Sequence, residues 1–311
     1  MSPHGFVVQI YISIYNLDDN FKLNHLIREC QMLYHYTDYD KFESIIKSKE
    51  LGLTRVIKSN YSEEVVRTYR IIWPMIRENL SKMLVDNNNC NKVLKILDEQ
   101  MKLEDYLSTN SYEEPYVLCL TSNLDLVHSW QEYGDKGKGV CLAFSDELFN
   151  GIQNEKPHPN SSLSLSMGWD YVFYGDKELV DKLSIDFVDI LNENKSAIGW
   201  LIIRTTLKHY SVFVKNPTFR DEREVRIVYY PDPNHVKDEE ICLKSFVKDN
   251  EIPHCSIPWI KPSGICALKE IIIGNNCVHS IQDVERFLLE QRINNISVKK
   301  SNCSYTISQN R

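Results

Sequence analysis

Two carboxylates and a guanidinium share one short stretch of the chain, Phe219-Arg220-Asp221-Glu222-Arg223-Glu224-Val225-Arg226, and their spacing bounds what they can do. If a β-strand begins near Asp221, its two-residue period puts Glu222, Glu224 and Arg226 on one face and Arg223, Val225 and Ile227 on the other. Such a face suits a polar cleft better than an apolar core, and a carboxylate in a cleft can stabilise a cation that develops as a bond breaks. The competing reading is an edge-strand ladder of solvated ion pairs, each worth little, which on pattern alone is the commoner arrangement.

Three other segments carry groups that can serve a ligand. In Tyr34-His35-Tyr36-Thr37 the imidazole can donate to a ligand hydroxyl, or act as a hydrogen-bonded structural residue of a half-buried strand. Thr37 is either a second polar contact or a turn residue. In Ser129-Trp130-Gln131-Glu132-Tyr133 the two rings lie three apart, so a helix presents them side by side to a flat cationic heterocycle, or packs them into the core. Ser129 contacts a ligand or caps that helix. Arg55 and Asn60 can meet a phosphate or line a solvated loop, and Arg67 and Arg70, three apart among the helical charges that include Arg77 and Lys82, offer the same choice. The fourth segment, Ile271-Ile272-Ile273-Gly274, reads as a buried strand. Cys141 with His128 can be written as a hydrolase pair, but Cys141 lies inside the apolar run 140–144 and reads as core.

These residues need elements to hold them. Residues 32–37 read as an aromatic strand, Asp38 as a helix N-cap, and Phe42, Ile45 and Ile46 as the apolar stripe of a helix ending near Glu50. Residues 51–54 connect to a helical stretch over 62–107, kinked at Pro74 and broken at Asp86-Asn87-Asn88-Asn89. That stretch reads as a helical insertion at about 61–110. Strands follow at 116–120, 140–144 and 171–174, then helix over 176–214 interrupted by Gly199, a strand at 224–230, and a Pro-marked loop to Pro262. The chain closes as strand, helix, strand over 268–300, and residues 1–17 read as an edge strand. With no repeat or linker, residues 1–311 form a single α+β domain.

Composition narrows the partners. Nine cysteines, none in a CxxC pair, read as reduced thiols of a cytoplasmic protein with no disulfide framework and no metal site. No apolar run reaches the roughly 20 residues of a membrane span. At a net charge of −7, a nucleic acid must find a local basic patch.

Taken in order over residues 33–300, these segments, together with 60–63, 118–123 and 270–274, resemble a widespread bacterial domain family associated with the ADP-ribosyltransferase fold and, more loosely, with DarT-like DNA-modifying toxins. The resemblance implies a split, strongly bent antiparallel β core with flanking helices, gripping NAD as co-substrate. Tyr34, His35, Thr37, Arg55, Asn60, Ser129, Trp130 and Tyr133 then hold the NAD, and Glu224 and Glu222 are catalytic. Glu224 bonds the ribose as an oxocarbenium-like cation forms, and Glu222 engages the acceptor in a Glu-x-Glu arrangement. This requires the side chains of His35 and Glu224 to share a cleft.

No Ser-Thr-Ser strand is evident, which argues against protein arginine as acceptor; the DarT-like analogy implies a nucleobase of RNA or single-stranded DNA, in a toxin or anti-phage setting with an antitoxin as possible partner. Two other readings stay open. An NAD glycohydrolase consumes NAD with no macromolecule present, and a non-catalytic binding or sensor module keeps its effect when Glu224 becomes Gln.

Overall fold

Asp38 ends the first strand and starts the first helix. β1 (Leu33–Thr37) runs into Asp38, whose carboxylate accepts the Lys41 backbone N–H at 2.8 Å and caps α1 (Tyr39–Ser48), which buries Phe42 and Ile46. The computed structural model describes residues 32–56, 62–84, 90–102, 115–149, 167–193, 197–229, 255–261 and 263–303. The edge strand expected at 1–17, the break at 86–89 and Asn60 lie outside them.

After α1 the chain enters β2 (Glu50–Arg55), where Leu51 and Leu53 are buried and Gly52 and Thr54 exposed. This alternation forms a strand where the sequence predicts a connection. The expected helical stretch follows as α2 (Ser62–Arg67), a π-helical turn (Thr68–Ile72) and α3 (Trp73–Met83), then α4 (Cys90–Gln100). Pro74 has no N–H, and its ring collides with the carbonyl four residues back in a regular helix. The wider turn absorbs this, with the Trp73 N–H bonded to the Thr68 carbonyl five residues back.

The remaining elements are β3 (Tyr116–Thr121), α5 (Val127–Glu132), β4 (Val140–Phe144), β5 (Met167–Tyr171), α6 (Asp176–Glu193), α7 (Ala197–Tyr210), β6 (Glu224–Tyr229), β7 (Cys255–Pro258), β8 (Leu268–Ile273), α8 (Ile281–Glu290) and β9 (Ser297–Lys300). Three expectations shift. β5 ends where 171–174 was expected to pair, because after the Val172 N–H bonds the Glu224 carbonyl at 3.0 Å the chain leaves to bridge Val214 from Phe173. Gly199 lies inside α7 and does not interrupt it. β7 occupies part of the expected loop, pairing with β2.

The expected α+β class holds: a mostly antiparallel sheet with helices packed against it. Nine strands are seen among the described residues, in the order β5-β6-β3-β1-β4-β8-β9, with β2 and β7 branching from β3. Only β8 and β9 pair in parallel, joined across α8, whose Ser280 and Asp283 form a capping box. Along one edge β3 pairs with β1 only at Tyr34↔Thr121 and with β2 only at Val117 and Tyr116, so the sheet divides between them. Two glycines let turns close against strand ends: a Cβ on Gly139 falls 2.0 Å from the Thr37 carbonyl oxygen, and one on Gly274 falls 2.2 Å from that of Gly137.

Strand alternation separates the cores. One face carries Leu33, Leu118, Leu120, Leu142, Val225 and Ile271 against Phe42, Ile46, Val284 and Leu288 of α1 and α8. On the other face, Val117 and Val228 pack under helices α2, α3, α4, α6 and α7, while Tyr36, Cys141, Ala143 and Ile272 pack under Trp130 of α5. Thr121 and Glu224, opposite each other in the β3–β6 ladder, lie on this second face between those two clusters. No helix among the described residues is long and apolar enough to cross a membrane.

Candidate functional site

Arg226 is the anchor of this region. Its side chain is wholly buried on β6, where each of its donors finds an acceptor. Nε and Nη2 donate to the two oxygens of Glu224, both at 2.9 Å. Nη1 and Nη2 donate to the two oxygens of Glu64, from α2, at 2.6 and 3.2 Å, and Nη1 also reaches the Val212 carbonyl at 2.5 Å. Fork-to-fork pairing fixes both carboxylates in direction as well as distance.

Burial alone would push the Glu224 carboxyl up, but the Arg226 guanidinium, helped by the Lys215 ammonium, pulls it down to about 2. At Glu64 burial wins over the same guanidinium, and its carboxyl is raised.

Glu222 reaches the same place by a turn. Asn216 accepts the Thr218 N–H at 3.0 Å and Pro217 supplies a preset φ, so residues Pro217–Glu222 form a 3-10 turn that ends with Arg223 left-handed at φ 41°. The expectation that Glu222 lies on the strand is thus corrected: β6 starts at Glu224. The end of β3 laces this turn in place, with Thr121 Oγ1 donating to the Glu222 carbonyl and Asn123 Nδ2 donating to the Asp221 carbonyl at 2.9 Å.

The two carboxylates converge on a residue that the sequence reading missed. Lys215 Nζ donates to Glu222 Oε2 at 2.5 Å and to Glu224 Oε2 at 3.2 Å, and stands 5.0 Å from the centre of the Phe219 ring. Burial would lower the ammonium's pKa, yet Glu224 and Glu222 raise it above the ordinary lysine value. Three acidic groups, Glu64, Glu222 and Glu224, therefore meet two fixed cations, Lys215 and Arg226. The surplus is negative, which suits a cationic ligand or a cation formed in a reaction.

The outer rim is aromatic and accessible. Glu222 Oε1 accepts from His128 Nε2 at 3.0 Å and from the Tyr133 hydroxyl at 3.5 Å. Tyr133 is 50% exposed and Phe219 41%, and Tyr174 accepts the Glu224 backbone N–H at 2.7 Å. Among the described residues no group of three His, Cys, Asp or Glu side chains is arranged to hold a metal ion.

Residues 129–227 match the model of a family described as a protein of unknown function (DUF2971). No curated protein and no solved structure matches the chain. The matched stretch carries Tyr133, Tyr174, Lys215, Glu222, Glu224 and Arg226, and leaves out His35, Glu64 and His128.

The other residues singled out in the sequence are dispersed. Tyr34 pairs with Thr121, and Thr121 with Glu224, so these three leave the sheet on one face and His35 on the other. The shared cleft expected for His35 and Glu224 is corrected accordingly. His35 instead fills the place where β3 lacks a strand partner: its Nδ1–H donates to the Cys119 carbonyl at 3.2 Å, and burial lowers its pKa below the usual imidazole value.

Trp130 is 1% exposed, edge-on to Tyr36 at 4.9 Å, with its indole N–H on Asp125 at 3.1 Å; it is core, and the accessible ring is Tyr133. Ser129 and Thr37 are buried. Arg55 pairs with Tyr116, five residues along β3 from Thr121, roughly 17 Å at strand rise. Arg67 is engaged by Asp176 through two bonds of 3.0 and 2.6 Å, so it makes no clamp with Arg70, which is exposed.

Proposed function

We propose that this chain cleaves the bond between nicotinamide and ribose in NAD and transfers ADP-ribose to a macromolecular acceptor, a nucleobase of RNA or single-stranded DNA by the resemblance of its motifs, as a toxin or anti-phage effector. The observation that carries this reading is the convergence of three carboxylates, Glu64, Glu222 and Glu224, on two cations, Lys215 and Arg226, beside the accessible ring of Tyr133, whose hydroxyl reaches Glu222 at 3.5 Å. The nicotinamide ring of NAD is a flat cation and stacks on such a ring. As the bond breaks, positive charge passes from the pyridinium to the sugar, and the carboxylates stabilise it there. Glu222, bonded to the two accessible side chains His128 and Tyr133, is the carboxylate that meets the sugar. Glu224, clamped by Arg226, holds the cluster from beneath. His35 then supports the divided sheet and has no contact with NAD.

The test follows nicotinamide release and adenine-labelled NAD with purified protein and separate pools of RNA, denatured DNA and protein. Label is expected in a nucleic-acid pool, and Glu222→Gln is expected to lose about 10²–10³-fold in rate. Nicotinamide release with label in no pool reassigns the chain as an NAD glycohydrolase. Absence of both, or undiminished activity in Glu222→Gln, removes the proposal.

A further inference from the structure

His128 stands at the mouth of the acidic cluster, and the reaction outlined above leaves it without a task. Its side chain is 46% exposed while Glu222, 3.0 Å from its Nε2, is 6% exposed. Lys215 secures the other oxygen of Glu222 from behind. An ionised carboxylate only accepts hydrogen bonds, so the proton between the two groups sits on Nε2, and the lone pair of the ring is on Nδ1. No partner for Nδ1 is seen among the described residues. The ring is faced by Glu222 and, edge-on at 6.5 Å, by Tyr133, with Lys215 and Glu224 behind Glu222. An imidazole oriented by a fixed carboxylate and open at its second nitrogen is the arrangement of a general base.

The geometry points to His128 as a further catalytic residue, which takes the proton of the nucleophile that attacks the sugar. The inference rests on the NAD-cleaving reading and deepens it by naming the acceptor class: an N–H or O–H group that must lose its proton as it bonds to ribose. In the balanced step the acceptor's lone pair forms the bond to C1′. The bond from C1′ to nicotinamide breaks, its electron pair staying on the pyridine nitrogen, and the acceptor proton passes to Nδ1. The imidazolium, beside Glu222, then gives that proton to water.

Azide separates this role from a structural one, because it attacks as an anion with no proton to lose. The full chain is incubated with NAD in water alone, with azide, and with pools of RNA, denatured DNA and protein extract, and nicotinamide release is measured. His128→Gln, whose amide still donates to Glu222, is expected to slow release in water and transfer to the pools about 10²-fold. Azide should bring it back to within a few-fold of wild type, with the Kd for NAD changed by less than about twofold.

A His128→Gln chain that keeps the wild-type rate in water, or that azide fails to restore, overturns the base role while leaving NAD cleavage standing. A wild-type chain that releases no nicotinamide in any arm removes the underlying reading itself. The melting temperature of His128→Gln, an exposed substitution, should stay near wild type, so a slow variant is a folded one.

Discussion

Replacing Arg226 by Met tests whether the site is held together from within the core. The substitution keeps the apolar stem and removes a guanidinium that makes bidentate contacts to both Glu64 and Glu224, leaving two buried carboxylates without their main partner. Breaking a buried pair this way costs about 3–5 kcal/mol. A second route gives the same scale: a carboxyl moved from 4.5 to about 2 stabilises the fold by about 3 kcal/mol at neutral pH.

The sign follows from the depressed value. The contribution is present above the unfolded carboxylate pKa and is lost as pH falls through the folded one, so the gap between wild type and Arg226→Met should be widest near pH 7. It should narrow progressively as pH falls from 7, because the stranded carboxylates, pushed up by burial once the guanidinium is gone, take up protons in the folded variant above the ordinary carboxylate range. Urea unfolding at pH 7 and again at acid pH reads this directly, and the melting temperature at pH 7 should drop by about 5–8 °C. A variant within about 1 kcal/mol of wild type at pH 7, or a gap that does not narrow in acid, refutes the reasoning.

Other outcomes divide the two rings and the two cations. Trp130→Ala should cost about 3–5 kcal/mol in unfolding free energy, as expected of a buried indole edge-on to Tyr36, measured by denaturant titration. Tyr133→Ala should leave stability nearly unchanged and raise KM for NAD about tenfold, with Tyr133→Phe keeping most of the affinity, in steady-state kinetics. Lys215→Met removes one of the two cations that hold the Glu224 carboxyl low, so the acid-unfolding midpoint, followed by circular dichroism, should move to higher pH; Lys215→Arg, which keeps a charge there, should move it less.

Much of the frame was legible because apolar runs report burial directly. β3, β4 and the 271–273 end of β8, buried on both faces, read as continuous hydrophobic segments, and Asp38 marked its helix through its capping carboxylate. β2 escaped because its four-residue alternation, Leu51 to Thr54, includes a glycine, and β7 because it is short and ends in Pro258. At the site, Glu222, Glu224 and Arg226 were visible as residue types, but their partners were not. Lys215 lies outside the strand, and the only local signal for its position was the turn-forming pair Asn216-Pro217. Glu64 reads from sequence as an ordinary acidic residue of a helix first turn. The face of His35 depends on the register Tyr34↔Thr121, and a shift by one residue would reverse it, so a single chain's spacing could not decide the matter.

The long excursion between β2 and β3 departs from Arg55 and comes back at Tyr116, which are direct neighbours in the ladder. Connectivity alone would therefore permit a tight hairpin in its stead. A shortened chain of that kind would keep every strand of the sheet yet strip away Glu64, stranding the guanidinium of Arg226 on one flank and leaving, among the described residues, α6 and α7 as the only helices of this layer over Val117 and Val228. What looks on paper like a dispensable detour is thus tied to the acidic centre through the carboxylate of Glu64.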